Sequence, residues 1–171
     1  MRSPSSGRLD CAEPLANPAR AEGDAMQHMR IETHIEAPVE EVWKFFCNMS
    51  NWPDWMPRGT FSDVSGPLDE VGTTYVGGMK LMGHEYKTKY EVVEVEPLRL
   101  IHERSGNAED WFRFEPDGDA TNLIAESDWE MPGKLPGVIK DMMGKGWAER
   151  NFRNAMADFK ALVEAKVPAH A

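Results

Sequence analysis

The 171-residue chain reads as an α+β domain in which a curved antiparallel sheet of about seven strands wraps around one long C-terminal helix, with two short helices after the first strand. Three observations predict this. Apolar residues alternate strictly near the start, turn signals recur about every ten residues through the middle, and a helical stripe closes the sequence.

The alternation runs from Met29 to Ala37, where Met29, Ile31, Thr33, Ile35 and Ala37 interleave with Arg30, Glu32, His34 and Glu36, the period of a half-buried strand. Pro38 then suits a first helical position, where its missing N–H costs nothing, and Val39, Val42, Trp43 and Phe46 follow at helical spacing. Residues 48–55 carry Trp52, Pro53 and Trp55 and predict a second short helix that Pro57 stops. Ser65-Gly66-Pro67, Gly77-Gly78, Glu96-Pro97, Ser105-Gly106-Asn107 and Asp117-Gly118-Asp119 punctuate the middle. Strands are expected near 60–65, 72–80, 82–95, 98–105, 109–116 and 120–131, with Asp117-Gly118 the strongest hairpin signal because such turns need positive φ. After Pro132-Gly133 and Pro136-Gly137, Phe152, Ala155, Met156, Phe159 and Val163 form one stripe of a single long helix. Gly144 and Gly146 weaken its beginning, so the stretch from Leu135 to Trp147 is expected to be its looser end.

Composition bounds the function. Nineteen Lys and Arg against 29 Asp and Glu leave a formal charge of -10, which opposes nucleic-acid binding because basic side chains must replace the counterions of phosphates. No apolar run reaches the roughly 20 residues of a membrane span. No secretory apolar stretch occurs in the first 27 residues, so cytoplasmic residence is expected. Residues 1–27 lack periodicity and are expected to be a disordered leader to one domain over 28–171. Cys11 and Cys47 read as free thiols.

The order of elements, together with Ile35-Glu36-Ala37-Pro38-Val39-Glu40-Glu41-Val42-Trp43, Val71-Gly72, Glu94-Val95-Glu96-Pro97-Leu98-Arg99-Leu100 and Glu130-Met131-Pro132, resembles the START-like superfamily (SRPBCC), with its helix-grip fold. The C-terminal end, with Pro132-Gly133 leading into a Gly-containing helix, is similar to the polyketide cyclase/dehydrases and to a small-subunit family of carbon monoxide dehydrogenase. The resemblance covers about residues 29–165. Its motifs start helices and bound strands, so they speak of fold rather than reaction. It implies an apolar pocket between sheet and helix that holds a hydrophobic small molecule such as a lipid, an isoprenoid or an aromatic compound.

Alternation then assigns candidate pocket residues. Met82, His84, Tyr86, Thr88 and Tyr90 share one strand face; Tyr75 and Met79 precede them, and Phe112, Phe114, Ala125, Ser127 and Trp129 share a face of the last two strands. Met142, Met143 and Trp147 supply an adaptable wall at the start of the last helix. Each has a plain alternative as core packing, Trp129 above all. There is no G-x-S-x-G, H-E-x-x-H or C-x-x-C, and no cofactor or resident metal is expected. His84 and His102 are the only metal-ligand candidates. Glu103, Glu109 and Asp110 lie around a turn and read as solvated rim charges. Three functions stay open: a carrier of the pocket ligand, a cyclase or dehydratase using His84, Tyr86 or Tyr90, and a partner-binding protein like the chaperone-ATPase activators of that superfamily.

Overall fold

The computed structural model describes residues 26–81, 83–130, 137–142 and 144–167. Most of the expected leader, Met82 and Met143 lie outside the described residues. The chain order is β1 (Gln27–Ile35), α1 (Val39–Cys47), a 3-10 turn (Met49–Asn51), α2 (Trp52–Trp55), β2 (Gly59–Ser62), β3 (Thr74–Leu81), β4 (His84–Glu96), β5 (Leu100–Arg104), β6 (Ala108–Asp117), β7 (Ala120–Trp129), α3 (Gly137–Met142) and α4 (Lys145–Lys166). All seven strands form one sheet in the order β1-β7-β6-β5-β4-β3-β2, with every neighbouring pair antiparallel. The sheet therefore closes its first strand onto its last. A register shift between Val92 and Glu94 bends β4 as β-bulges do, and the curled sheet receives α4 on its inner side.

Local chemistry explains the elements. Pro38 precedes α1 in extended conformation, and Val42, Trp43, Phe45 and Phe46 bury the helix against the sheet. Asn48 caps the 3-10 turn by accepting from the Ser50 N–H at 3.1 Å, and the Trp52 indole N–H donates to the Phe46 carbonyl at 2.8 Å. These two bonds fold α2 back onto α1. At the β6–β7 hairpin Gly118 adopts φ +63°, the left-handed conformation that its Asp-Gly signal requires.

The core is aromatic. Phe46 lies 4.7 Å from Phe112, 5.4 Å from Phe114 and 6.0 Å from Phe159, which joins α1, β6 and α4 in one cluster. Trp43 meets Phe114 edge to face at 5.0 Å, the arrangement that ring quadrupoles favour. The single long helix expected at the end is instead two. Helix α3 ends at Met142 and α4 starts at Lys145 behind Gly144, whose φ -54° and ψ 170° take it out of helical geometry. Among the described residues no helix is long and apolar enough to cross a membrane.

Candidate functional site

The sheet and α4 enclose a cavity of about 830 Å³. Its floor is the inner face of β3, β4, β6 and β7, one wall is α2 with Phe61, and the other wall is α4 at Trp147, Asn151, Phe152 and Ala155. Two successive glycines in β3 make room for it. A Cβ on Gly77 would sit 3.0 Å from the Tyr90 ring, and one on Gly78 would sit 2.4 Å from the Tyr86 carbonyl oxygen. With those positions bare, Tyr75 and Tyr90 pair across β3 and β4 and stack at 5.0 Å with rings 7° from parallel.

The polar part of the site is a row across the sheet. Met29 pairs with Ser127, Ser127 with Asp110, and Asp110 with Glu103, all facing the cavity. Apolar rows flank it, with Trp129 opposite Ala108 on one side and Ile31, Ala125, Phe112 and Ile101 on the other. Directly opposed residues have Cβ atoms about 4.5–5.5 Å apart, so the carboxyls of Glu103 and Asp110 are immediate neighbours. Glu103 is only 2% exposed. The Tyr75 hydroxyl donates to its Oε1 at 2.7 Å, whereas Oε2 has no hydrogen-bond partner among the described residues. Burial, and then the Asp110 charge, push the Glu103 carboxyl up to about 8 against the Tyr75 hydrogen bond. Burial also raises Asp110 to about 6, opposed first by the Ser127 hydroxyl that donates to it. The Tyr75 and Tyr90 phenols are pushed up as well, chiefly by burial. A second orphan lies on the α2 wall: Trp55 is fully buried and its indole N–H has no acceptor among the described residues.

This corrects the expectation that Glu103 and Asp110 are rim charges. Alternation from Phe112 and Phe114 puts Asp110 inward, and alternation from Ile101 does the same for Glu103; the nearby Ser105-Gly106-Asn107 turn had suggested otherwise. Of the three, only Glu109 stands outside, accepting from Arg104 at 2.9 Å and lying 2.9 Å from His102. His102 stacks on Trp111 at 4.8 Å on the outer face. Among the described residues no three His, Cys, Asp or Glu side chains converge as metal ligands would.

Of the residues expected from sequence, Tyr75, Met79, Tyr86, Thr88, Tyr90, Phe112, Ser127, Trp129 and Trp147 line the cavity. His84 does not. It starts β4 beside the Gly83 turn and is exposed, because the strand runs past the edge of the cavity there. Phe114 and Ala125 point inward but are sealed in the core, Phe114 beneath Trp43 and Phe46. Met82 and Met143 fall outside the described residues, as does the side chain of Met142. Sequence reasoning missed Glu103, Asp110, Trp52, Trp55 and Phe61. The carboxyls were legible in the alternation, whereas the other three reach the cavity only through the fold-back of α2.

The profile of the family described as "Polyketide cyclase / dehydrase and lipid transport" matches residues 26–164. Among solved structures the chain is similar to the Zhui aromatase/cyclase from Streptomyces sp. R1128, with 18% identity, TM-score 0.66, and coverage of 85% of this chain and 98% of that one. It is also similar to a protein from Thermus thermophilus, with 18% identity, TM-score 0.64, and coverage of 81% and 98%. An Arthrobacter aurescens protein gives 15% identity, TM-score 0.62, and coverage of 84% and 91%. At these identities the likeness is one of fold. No curated protein matches the sequence. With nearly the whole described chain inside the profile, the protein belongs to the polyketide cyclase/dehydrase and lipid transport family.

Proposed function

We propose that this protein binds a mainly apolar, ring-containing small molecule inside the sheet–helix cavity, with a polar group of the ligand held at the Tyr75–Glu103–Asp110 end. The observation that carries the reading is a roomy aromatic cavity with hydrogen-bonding capacity left unused at two buried points, Glu103 Oε2 and Trp55 Nε1. An orphaned buried polar group costs about 1–3 kcal/mol, and a ligand that reaches it recovers that cost. The aromatic walls supply affinity, and the polar row supplies orientation. A partner-binding role would call for a filled interior, and the interior here is open.

The test is titration with N-phenyl-1-naphthylamine, a neutral apolar fluorophore. One site per chain is expected. Ala148→Trp, which adds an indole to the α4 wall, should weaken binding at least tenfold, because one indole takes up much of such a cavity. Lys89→Ala, on the outer face of β4, should leave it unchanged. Absence of saturable binding by the parent would refute the reading.

A second reading, catalysis on the bound molecule, is favoured by the Glu103–Asp110 pair. Two adjacent carboxyls held on either side of neutrality provide one acid and one base at pH 7. Neutral Glu103 would donate to a ligand carbonyl oxygen while Asp110 takes a proton from the adjacent carbon, giving the enol and returning it. The readout is exchange of the methyl protons of 2-acetonaphthone with D₂O, followed by NMR. Catalysis predicts faster exchange that Asp110→Asn abolishes with probe binding intact; exchange no faster than in buffer leaves the carrier reading alone.

A further inference from the structure

The inner face holds an acidic pair with no basic partner. Among the described residues no Lys or Arg forms an ion pair with Glu103 or Asp110. Lys87 and Arg58 also line the cavity, but Lys87 pairs with Glu85 at 3.3 Å, and neither acts on the two carboxyls. Glu126, another lining carboxylate, bonds Arg30 at 2.9 Å and also Arg113, so its charge is matched. The charge of the Glu103–Asp110 pair is not.

The surroundings of the pair are aromatic. Tyr75 touches Glu103 through its hydroxyl and stacks on Tyr90; Trp52 lies 5.9 Å from Tyr75, and Phe112 follows Asp110 two residues along β6. A ring face attracts a cation, and a buried carboxylate attracts it more strongly. An ammonium group has three N–H donors, enough for the unpartnered Glu103 Oε2 and for Asp110 together. A neutral hydroxyl has one. We infer that the cavity selects amines: its ligand is an apolar or aromatic molecule carrying one protonated amino group, seated between Glu103 and Asp110 with its rings along the tyrosine and tryptophan walls. This rests on the cavity-binding reading above and narrows it to a chemical class.

Charge balance agrees. Between about pH 6 and about 8 the pair retains one proton and one negative charge, which a single ammonium neutralises. Below that window the pair is neutral and the preference for a cation should vanish. The groups that face the pair from each neighbouring element are Tyr75 of β3, Tyr90 of β4 and Ser127 of β7, with Asp158 on the α4 side of the cavity. His102, Glu109 and Asp128 act on Asp110 from nearby. Asp158 and the two tyrosines do not gain positive charge on acidification, so they do not reverse the sign. His102 becomes more positive at low pH and works in the same direction, against a cation.

A matched pair of fluorescent probes tests this: 1-naphthylmethylamine, protonated at neutral pH, and 1-naphthalenemethanol, its neutral counterpart. At pH 7.5 the amine should bind at least tenfold more tightly than the alcohol. Glu103→Gln with Asp110→Asn should abolish that preference while leaving the affinity for the alcohol within about twofold. If the double variant does not fold, either single variant and the parent at pH 5 serve instead, each expected to lose most of the preference. Alcohol binding that Ala148→Trp blocks, without preference for the amine, would overturn the inference and keep the cavity reading. Binding of neither probe would overturn both.

Discussion

Glu103 shows how one residue links stability to function. Its folded carboxyl is raised from an ordinary 4.5 to about 8, so the folded state holds this proton more tightly than the unfolded chain does. Between those values the folded protein binds more protons than the unfolded one, and the Glu103 contribution to stability falls as pH rises. Asp110, raised from 3.8 to about 6, acts with the same sign over its lower window. Glu109 and Glu164 are lowered instead, so their contributions are lost on acidification below their ordinary 4.5. Stability should therefore be greatest near pH 5 and decline toward pH 8.5. Glu103→Gln, which keeps an oxygen for the Tyr75 hydroxyl without a titrating group, should flatten the alkaline decline and melt above the parent at pH 8.5. The whole effect is on the order of a few kcal/mol, since each tenfold change in proton affinity is worth about 1.4 kcal/mol. Thermal melts across pH check it; a variant that declines as steeply as the parent would show that Glu103 is not the group responsible.

Among the elements, the strands were legible wherever their alternation was long. In β1 the burial pattern follows the sequence alternation, and Asp117-Gly118 pins the register of β6 against β7. Less legible was what the gaps in a pattern do. Gly77-Gly78 resembles a turn in sequence, yet both residues lie inside β3 and pair with Thr88 and Lys87 of β4. Their bareness lets the tyrosine stack sit flat and lets the backbones close up, and neither need is visible without the facing strand. Gly78→Ala should cost about 1–3 kcal/mol, the range for overpacking, because the added methyl meets a backbone oxygen that cannot rotate away. Urea unfolding measures it, and an unchanged midpoint would mean that β3 and β4 separate freely. For α1 the helical spacing alone placed Trp43 in the core, where it is 6% exposed. Trp43→Ala should cost about 3–5 kcal/mol and leave probe selectivity unaltered, since this indole packs on Phe114 outside the cavity.

At the scale of the whole molecule, a chain with an 830 Å³ internal space forgoes contacts that a filled core would make. Sequence could say that aromatic residues face inward, as Tyr75, Tyr90, Phe112 and Trp129 do, but not that α4 stands off from them. That separation depends on α1 and α2 wedging Phe46, Trp52 and Trp55 under the sheet, a set of contacts between segments far apart along the chain. The consequence is measurable. A ligand that binds only the folded state stabilises it by mass action, about 2.7 kcal/mol at a hundredfold excess over its dissociation constant. Saturating N-phenyl-1-naphthylamine should therefore raise the melting temperature of the parent by several degrees. Ala148→Trp should melt at or above the unliganded parent, because its indole occupies empty space, and should show no further rise with the probe. A variant that melts lower and still responds to the probe would mean that the α4 wall yields outward instead of filling the cavity, and that the space between sheet and helix is set by the ligand rather than by the fold.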